Sequence, residues 1–200
     1  MRNMKSIGLT LVLALALGAV ACAKPPQQEL DAATKAIADA TTAKANIYAK
    51  DALASAQTAL DEGKAEIEVQ KQKWFANYDK VKEKLAAAKS GAEAAATQSV
   101  ANMETAKNEA NTAIADAKTA IDTAGATLAN APKGKGTKAD IEQYTADLEA
   151  ARASVADAES KLASEDYYGA RDAAAAARDK ANQINSDIQA VIDKVKGKHN

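Results

Sequence analysis

Residues 148–181 read "LEAARASVADAESKLASEDYYGARDAAAAARDKA", and the spacing within and just around this stretch decides the fold. Apolar or alanine side chains recur at Ile141, Tyr144, Leu148, Ala151, Val155, Ala158 and Leu162, alternately three and four residues apart. The pattern restarts at Tyr167 and runs through Ala170, Ala174, Ala177, Ala181, Ile184, Ile188, Val191 and Val195. Such alternation gathers every member of a set on one face of an α-helix. Only Ser164-Glu165-Asp166 separates the two runs. So short a link must reverse the chain, which predicts an antiparallel αα-hairpin with an alanine-lined seam.

The first half carries the same alternation. Leu53, Ala56, Leu60, Gly63, Ile67, Gln70 and Trp74 make one stripe; Tyr78, Val81, Leu85, Ala88, Ala92 and Ala95 make another. Leu53, Leu60 and Ile67 align with Leu148, Val155 and Leu162, and Tyr78 with Tyr167, which reads as an internal duplication with a longer turn in the first copy. Beyond Ala95 the helical pattern continues to Ala131. Its stripe slips by one residue from Ser99 to Val100 and resumes through Met103, Ala110, Ile114, Ala117, Ile121, Ala124 and Leu128. Periodicity leaves open whether this is one helix or bends at Gly91 or Gly125. Pro132-Lys133-Gly134-Lys135-Gly136 ends it, and Thr137 with Asp140 reads as a capping box opening the next helix. Upstream, Glu29–Ile47 is expected as a shorter helix striped by Leu30, Ala33, Ile37 and Ala40.

Composition agrees with an all-α chain. Alanine supplies about a quarter of the residues and aromatics 4%, and proline occurs only at positions 25, 26 and 132. Large apolar residues are too sparse for a thick core but suffice for thin helices packed through alanine. The expected architecture is an elongated, coiled-coil-like bundle of antiparallel helical hairpins, arranged as a helical leader (1–21), a tether (22–28), a first helical region with one long helix (29–131), a loop (132–138) and a C-terminal hairpin (139–197). The formal net charge is −1. Without Arg2 and Lys5 the chain keeps 24 basic and 27 acidic residues, a net of −3. That balance carries no footprint for nucleic acid.

Residues 11–26 read "LVLALALGAVACAKPP". Arg2 and Lys5, an apolar stretch over Ile7–Leu17 and the small residues Gly18–Ala21 follow the order of a secretory signal. The apolar run falls short of the ~20 residues of a membrane span. Cys22 is the only cysteine, and two readings compete for it. Ala19 and Ala21 make an A-x-A cleavage site that would leave Cys22 as a free thiol. Alternatively, Ala19-Val20-Ala21-Cys22 resembles a bacterial lipobox. That resemblance implies cleavage between Ala21 and Cys22, a diacylglyceryl group on the Cys22 sulfur and an acylated amine. An unpaired thiol is unusual in an oxidising compartment, whereas a thiol destined for thioether linkage is not. Two or three acyl chains suffice for stable anchoring. By the same resemblance Ala23, where aspartate often marks inner-membrane retention, implies the periplasmic face of the outer membrane, with Pro25 and Pro26 expected as a short stiff spacer.

Two stretches, "YAKDALASAQTALDEGK" (48–64) and the 148–181 segment, resemble the alanine-rich helical-hairpin domain of unknown function found in Gram-negative lipoproteins. In that family a tyrosine precedes an alanine-spaced helix, a pattern matched by Tyr167, Ala170, Ala174 and Ala177. The resemblance implies an envelope location and a helical fold, and transfers no catalytic residues. The murein-lipoprotein family also joins a lipid anchor to heptads, with a C-terminal lysine linked to peptidoglycan. This chain ends in "KGKHN", without that residue.

The sequence assigns no catalytic, cofactor-binding or metal site. His199 is the sole histidine and lies at the chain end. Asp31/Lys35 and Asp157/Lys161, at i,i+4, read as solvated ion pairs. Gly134-Lys135-Gly136 has no preceding strand and reads as a turn rather than a phosphate cradle. The most distinctive stretch is "QKQKWFANYDKVKEK" (70–84), with the only tryptophan and the only phenylalanine among several lysines. Trp74 continues the stripe and is expected to pack, which leaves Phe75 as the candidate partner contact. By the same logic Tyr167 packs and Tyr168 is the second candidate contact. The expected function is non-enzymatic: a lipid-anchored envelope protein, on the outer membrane and facing the periplasm, whose helical surfaces serve a structural or adaptor role for a protein or cell-wall partner. The alternative is a periplasmic carrier holding an apolar or lipid ligand between amphipathic helices. Replacing Cys22 by Ala should release the protein from the membrane fraction or leave an uncleaved precursor. Acyl label persisting on that variant would contradict the assignment, since no second thiol exists to carry it.

Overall fold

A computed structural model describes residues 24–132 and 137–196. Their secondary structure is wholly helical: α1 (Gln27–Thr42), α2 (Ala45–Tyr48), α3 (Lys50–Lys71), α4 (Asp79–Ala129), α5 (Lys138–Ala163) and α6 (Tyr167–Lys196). The signal segment with Ala21 and Cys22, the Gly134–Gly136 turn and His199 lie outside the described residues.

The seams follow the 3–4 spacing closely. On α3 the buried residues are Leu53, Ala56, Leu60, Gly63, Ile67 and Gln70. On α5 they are Leu148, Ala151, Val155 and Ala158. The α6 seam runs from Tyr167 through Ile188 and then takes Ile192 rather than Val191, a step of four in place of three.

The 51 residues of α4 are continuous, ~77 Å at ~1.5 Å per residue. Gly91 marks a close approach: a Cβ there would stand 3.3 Å from the Ala56 methyl on α3. Around the first half of α4, α3 runs antiparallel, tied by the Lys84–Glu62 ion pair, and α1 runs parallel, with Lys35 and Asp39 abreast of Lys89 and Glu93. Around the second half, α5 is antiparallel (Lys118 Nζ to Glu159, 2.6 Å) and α6 parallel (Arg171 to Glu109, 3.1 Å). Lys180 and Asp147 tie α5 to α6 at 3.1 Å. The molecule is therefore two three-helix bundles set end to end, each with its own core, sharing α4 as a common third helix.

Three expectations need correction, two where the bundles meet and one at the far end of the second bundle. The helix expected over 29–47 breaks after Thr42. Lys44 turns left-handed (φ 61°), with its N–H donating to the Thr41 carbonyl, and α2 restarts the chain. This break strands backbone carbonyls, and α4 satisfies them. Ser99 Oγ donates to the Ala43 carbonyl and Asn102 Nδ2 to the Tyr48 carbonyl, both at 2.6 Å. The α4 seam accordingly runs on through Ser99, which is fully buried, while Val100 is exposed. The one-residue shift falls later, between Ala106 and Ala110. That is where α4 exchanges α1 and α3 for α5 and α6. Finally, Thr137 does not close a capping box; its hydroxyl donates to the Pro132 carbonyl at 2.6 Å. The α6 start is capped instead by Asp166, whose carboxylate accepts from the Gly169 N–H at 3.0 Å.

The hairpin seams are tight because alanine lets helix axes approach. Ala174 is fully buried on α6, and replacing it by Leu should lower stability by ~1–3 kcal/mol through overpacking. A thermal melt unchanged in that variant would mean that the seam has slack.

Candidate functional site

Two places concentrate aromatic side chains. The first is the turn between α3 and α4, residues 72–78. Trp74 is not on the packing stripe as its spacing suggests. Helix α3 stops at Lys71, so the i+4 relation from Gln70 no longer holds. Gln70 is buried and closes the turn: its amide donates to Glu66 at 2.7 Å, and its carbonyl oxygen accepts from the Asn77 N–H at 3.1 Å. Asn77 Oδ1 then accepts from the Asp79 N–H at 2.8 Å, an Asx turn that launches α4. Tyr78 packs into the bundle core. Held between these fixed points, Trp74 and Phe75 stand in solvent, 90% and 77% exposed. Phe75 is thus exposed, and Trp74 is exposed beside it.

The second place is the waist between the bundles. The buried rings of Tyr48 and Tyr167 lie 6.3 Å apart, and Tyr168 lies 5.1 Å from Tyr48. Arg171 sits over the Tyr168 ring, 5.2 Å from its centre, and also bonds Glu109 and Asp172. Tyr168 is therefore engaged within the fold and is not spare. Tyr48 donates from its hydroxyl to the Glu165 carbonyl at 3.1 Å, and Lys44 pairs with the Glu165 carboxylate. These contacts join the α1–α2 break to the α5–α6 turn. Glu165, like Lys44, is left-handed (φ 64°), and the N–H groups of Glu165 and Asp166 satisfy the last carbonyls of α5. The hydrogen bond with Lys44 holds the Glu165 carboxyl below its ordinary value, and the same bond raises Lys44. Burial pushes the Tyr48 hydroxyl up.

Beside the waist, a groove of about 580 Å³ opens between α4 and α6, with Glu109, Asp116, Arg171 and Arg178 among its walls. Opposed charges of both signs line it, and Arg171 is already bound to Glu109. Among the described residues no cluster of three or more His, Cys, Asp or Glu is placed to hold a metal ion. No known protein family, curated protein or solved structure matches the chain.

Of the sequence-derived sites, then, Phe75 is presented, Tyr168 is packed, and Cys22 lies outside the described residues. The exposed role of Trp74 was missed because 72–78 contains neither glycine nor proline to announce the helix end. The available signal was Asn77, two residues ahead of a helix-opening Asp79.

Trp74→Ala and Phe75→Ala should each leave the melting temperature nearly unchanged, as exposed substitutions usually do. Tyr78→Ala should cost ~3 kcal/mol, since it empties a buried aromatic site. Thermal melts followed by circular dichroism check this, and an early melt for Trp74→Ala would contradict the exposed placement. The Lys44–Glu165 pair gives a pH signature. A carboxylate with a depressed pKa stabilises the fold above its ordinary range and loses that contribution as pH falls through the depressed value. Glu165→Gln should therefore melt earlier than the parent at neutral pH, with the gap closing in acid. A gap independent of pH would show that the pair contributes nothing.

Proposed function

We propose that this chain is a non-enzymatic, lipid-anchored protein of the bacterial cell envelope. It is tethered through Cys22 to the outer membrane and holds a helical rod in the periplasm as a structural or adaptor element. The observation that carries the reading is the order of the first 22 residues: a basic start, a short apolar run, small residues and then the chain's only cysteine. The architecture supports it. A shared 51-residue helix extends the chain lengthwise rather than around a pocket, the form suited to spanning distance and offering faces to a partner. No helix among the described residues is long and apolar enough to cross a membrane, so attachment would fall to the acyl chains.

The carrier reading is the weaker one. Both cores are closed by alanine seams, and the groove between α4 and α6 holds the Arg171–Glu109 ion pair in its wall, a poor lining for an apolar ligand. The adaptor reading is tested by in-cell photo-crosslinking from exposed positions along α4 and α6. It predicts a recurrent protein or cell-wall adduct from one contiguous face. Lipid that co-purifies stoichiometrically with a Cys22→Ala chain, and no adduct from any face, would favour the carrier.

A further inference from the structure

We infer that the Trp74–Phe75 turn is a membrane-interface contact: it seats in the headgroup region of the bilayer that holds the Cys22 anchor. The inference rests on the anchoring proposed above and specifies which end of the rod meets the lipid.

Helix α1 runs parallel to α4, with Gln28, Glu29 and Ala32 abreast of Leu85, Ala86 and Lys89. Ser99 reaching the Ala43 carbonyl extends the same offset to the far end of α1. The start of α1 at Gln27 is thus level with the region of Lys84, and α4 begins only ~7 Å nearer the tip. The turn 72–78 caps that tip. The chain therefore enters the fold at the end of the molecule that displays Trp74 and Phe75.

Length comes next. Pro26 is buried against the bundle, so the two prolines do not form a free spacer. Only the chain from Cys22 to Pro26 separates an acylated sulfur from the packed fold, ~14 Å when fully extended. A tether so short brings the tip to the membrane surface.

Tryptophan combines an apolar ring with a polar N–H, which suits the boundary between acyl chains and headgroups. Around it, Lys73 and Lys80 are exposed and form no ion pair with any described residue, and Lys82 is exposed on the first turn of α4. Asp79 and Glu83 also face solvent there, so charges of both signs surround the rings, and the lysines among them suit anionic headgroups. The turn is fixed from behind by Gln70, Asn77 and Tyr78, so presenting the two rings costs little further ordering.

Trp74 is the only tryptophan, so the chain reports on its own tip. The test uses the mature protein purified from membranes, with acylation of Cys22 checked by mass. It is reconstituted into vesicles of phosphatidylethanolamine and phosphatidylglycerol, with and without lipids brominated on the acyl chain. The expected result is co-flotation with the vesicles, a blue shift of the tryptophan emission and quenching by the brominated lipid. Phe75→Glu should reduce the shift and the quenching while helicity stays the same. Acylated protein that floats with the vesicles but keeps a water-exposed, unquenched tryptophan overturns the inference and leaves the anchor standing. Protein without an acyl group at Cys22 overturns the anchor and the inference together. A blue shift that follows protein concentration without vesicles assigns the tip to self-association and also overturns it.

Discussion

One helix must serve two cores. A straight α-helix drifts relative to a 3–4 repeat, and a seam of ~50 residues cannot face one pair of partners throughout without supercoiling. This chain meets the constraint by changing partners. The α4 seam faces α1 and α3 up to Ser99, shifts by one residue between Ala106 and Ala110, and then faces α5 and α6. The change leaves a waist where two turns meet, and there the otherwise apolar seam carries polar groups. Ser99 and Asn102 complete the backbone of the α1–α2 break, and Lys44 and Tyr48 reach across to Glu165. The bonds of Tyr48 and Lys44 to Glu165 set the mutual placement of the two bundles, and the buried, bonded Ser99 fixes the α1–α2 break against α4.

The helices and their seams were legible because periodicity is a property of one chain segment. The six buried positions of α3 and the alanines of α6 follow from spacing alone. What spacing could not give was anything set by a second element. Ser99 reads as a flaw in an apolar stripe until the broken end of α1 stands opposite it. Lys44 looks like an ordinary helical residue, and only the packed waist supports its left-handed backbone. Trp74 shows the reverse failure: the stripe continues on paper past the point where the helix has stopped. Of the candidate contacts, Phe75 was readable by its place off the stripe. Tyr168 was misread by the same rule, since its partners Tyr48 and Arg171 come from another helix and from one turn further along α6.

The two ends of the rod are chemically unlike. One carries the entry of the chain and the exposed Trp74–Phe75 turn. At the other, α4 gives way to α5 and α6 ends in Lys194 and Lys196. Under the proposed anchoring this polarity gives the molecule an orientation, with the aromatic tip at the lipid and the second bundle held away from it. The faces of α5 and α6 would then be the ones a periplasmic partner meets first.

The central claim is that α4 is one unbroken helix bridging both bundles. Spin labels at Glu83→Cys and Asp122→Cys, exposed positions on its two halves, test it by pulsed electron resonance in a Cys22→Ser background. The sites are 39 residues apart, which places their backbones ~58 Å apart along a continuous helix. A single narrow distance distribution near that value is predicted. A broad or much shorter distribution would mean that the waist is a hinge and that the two bundles do not share a spine.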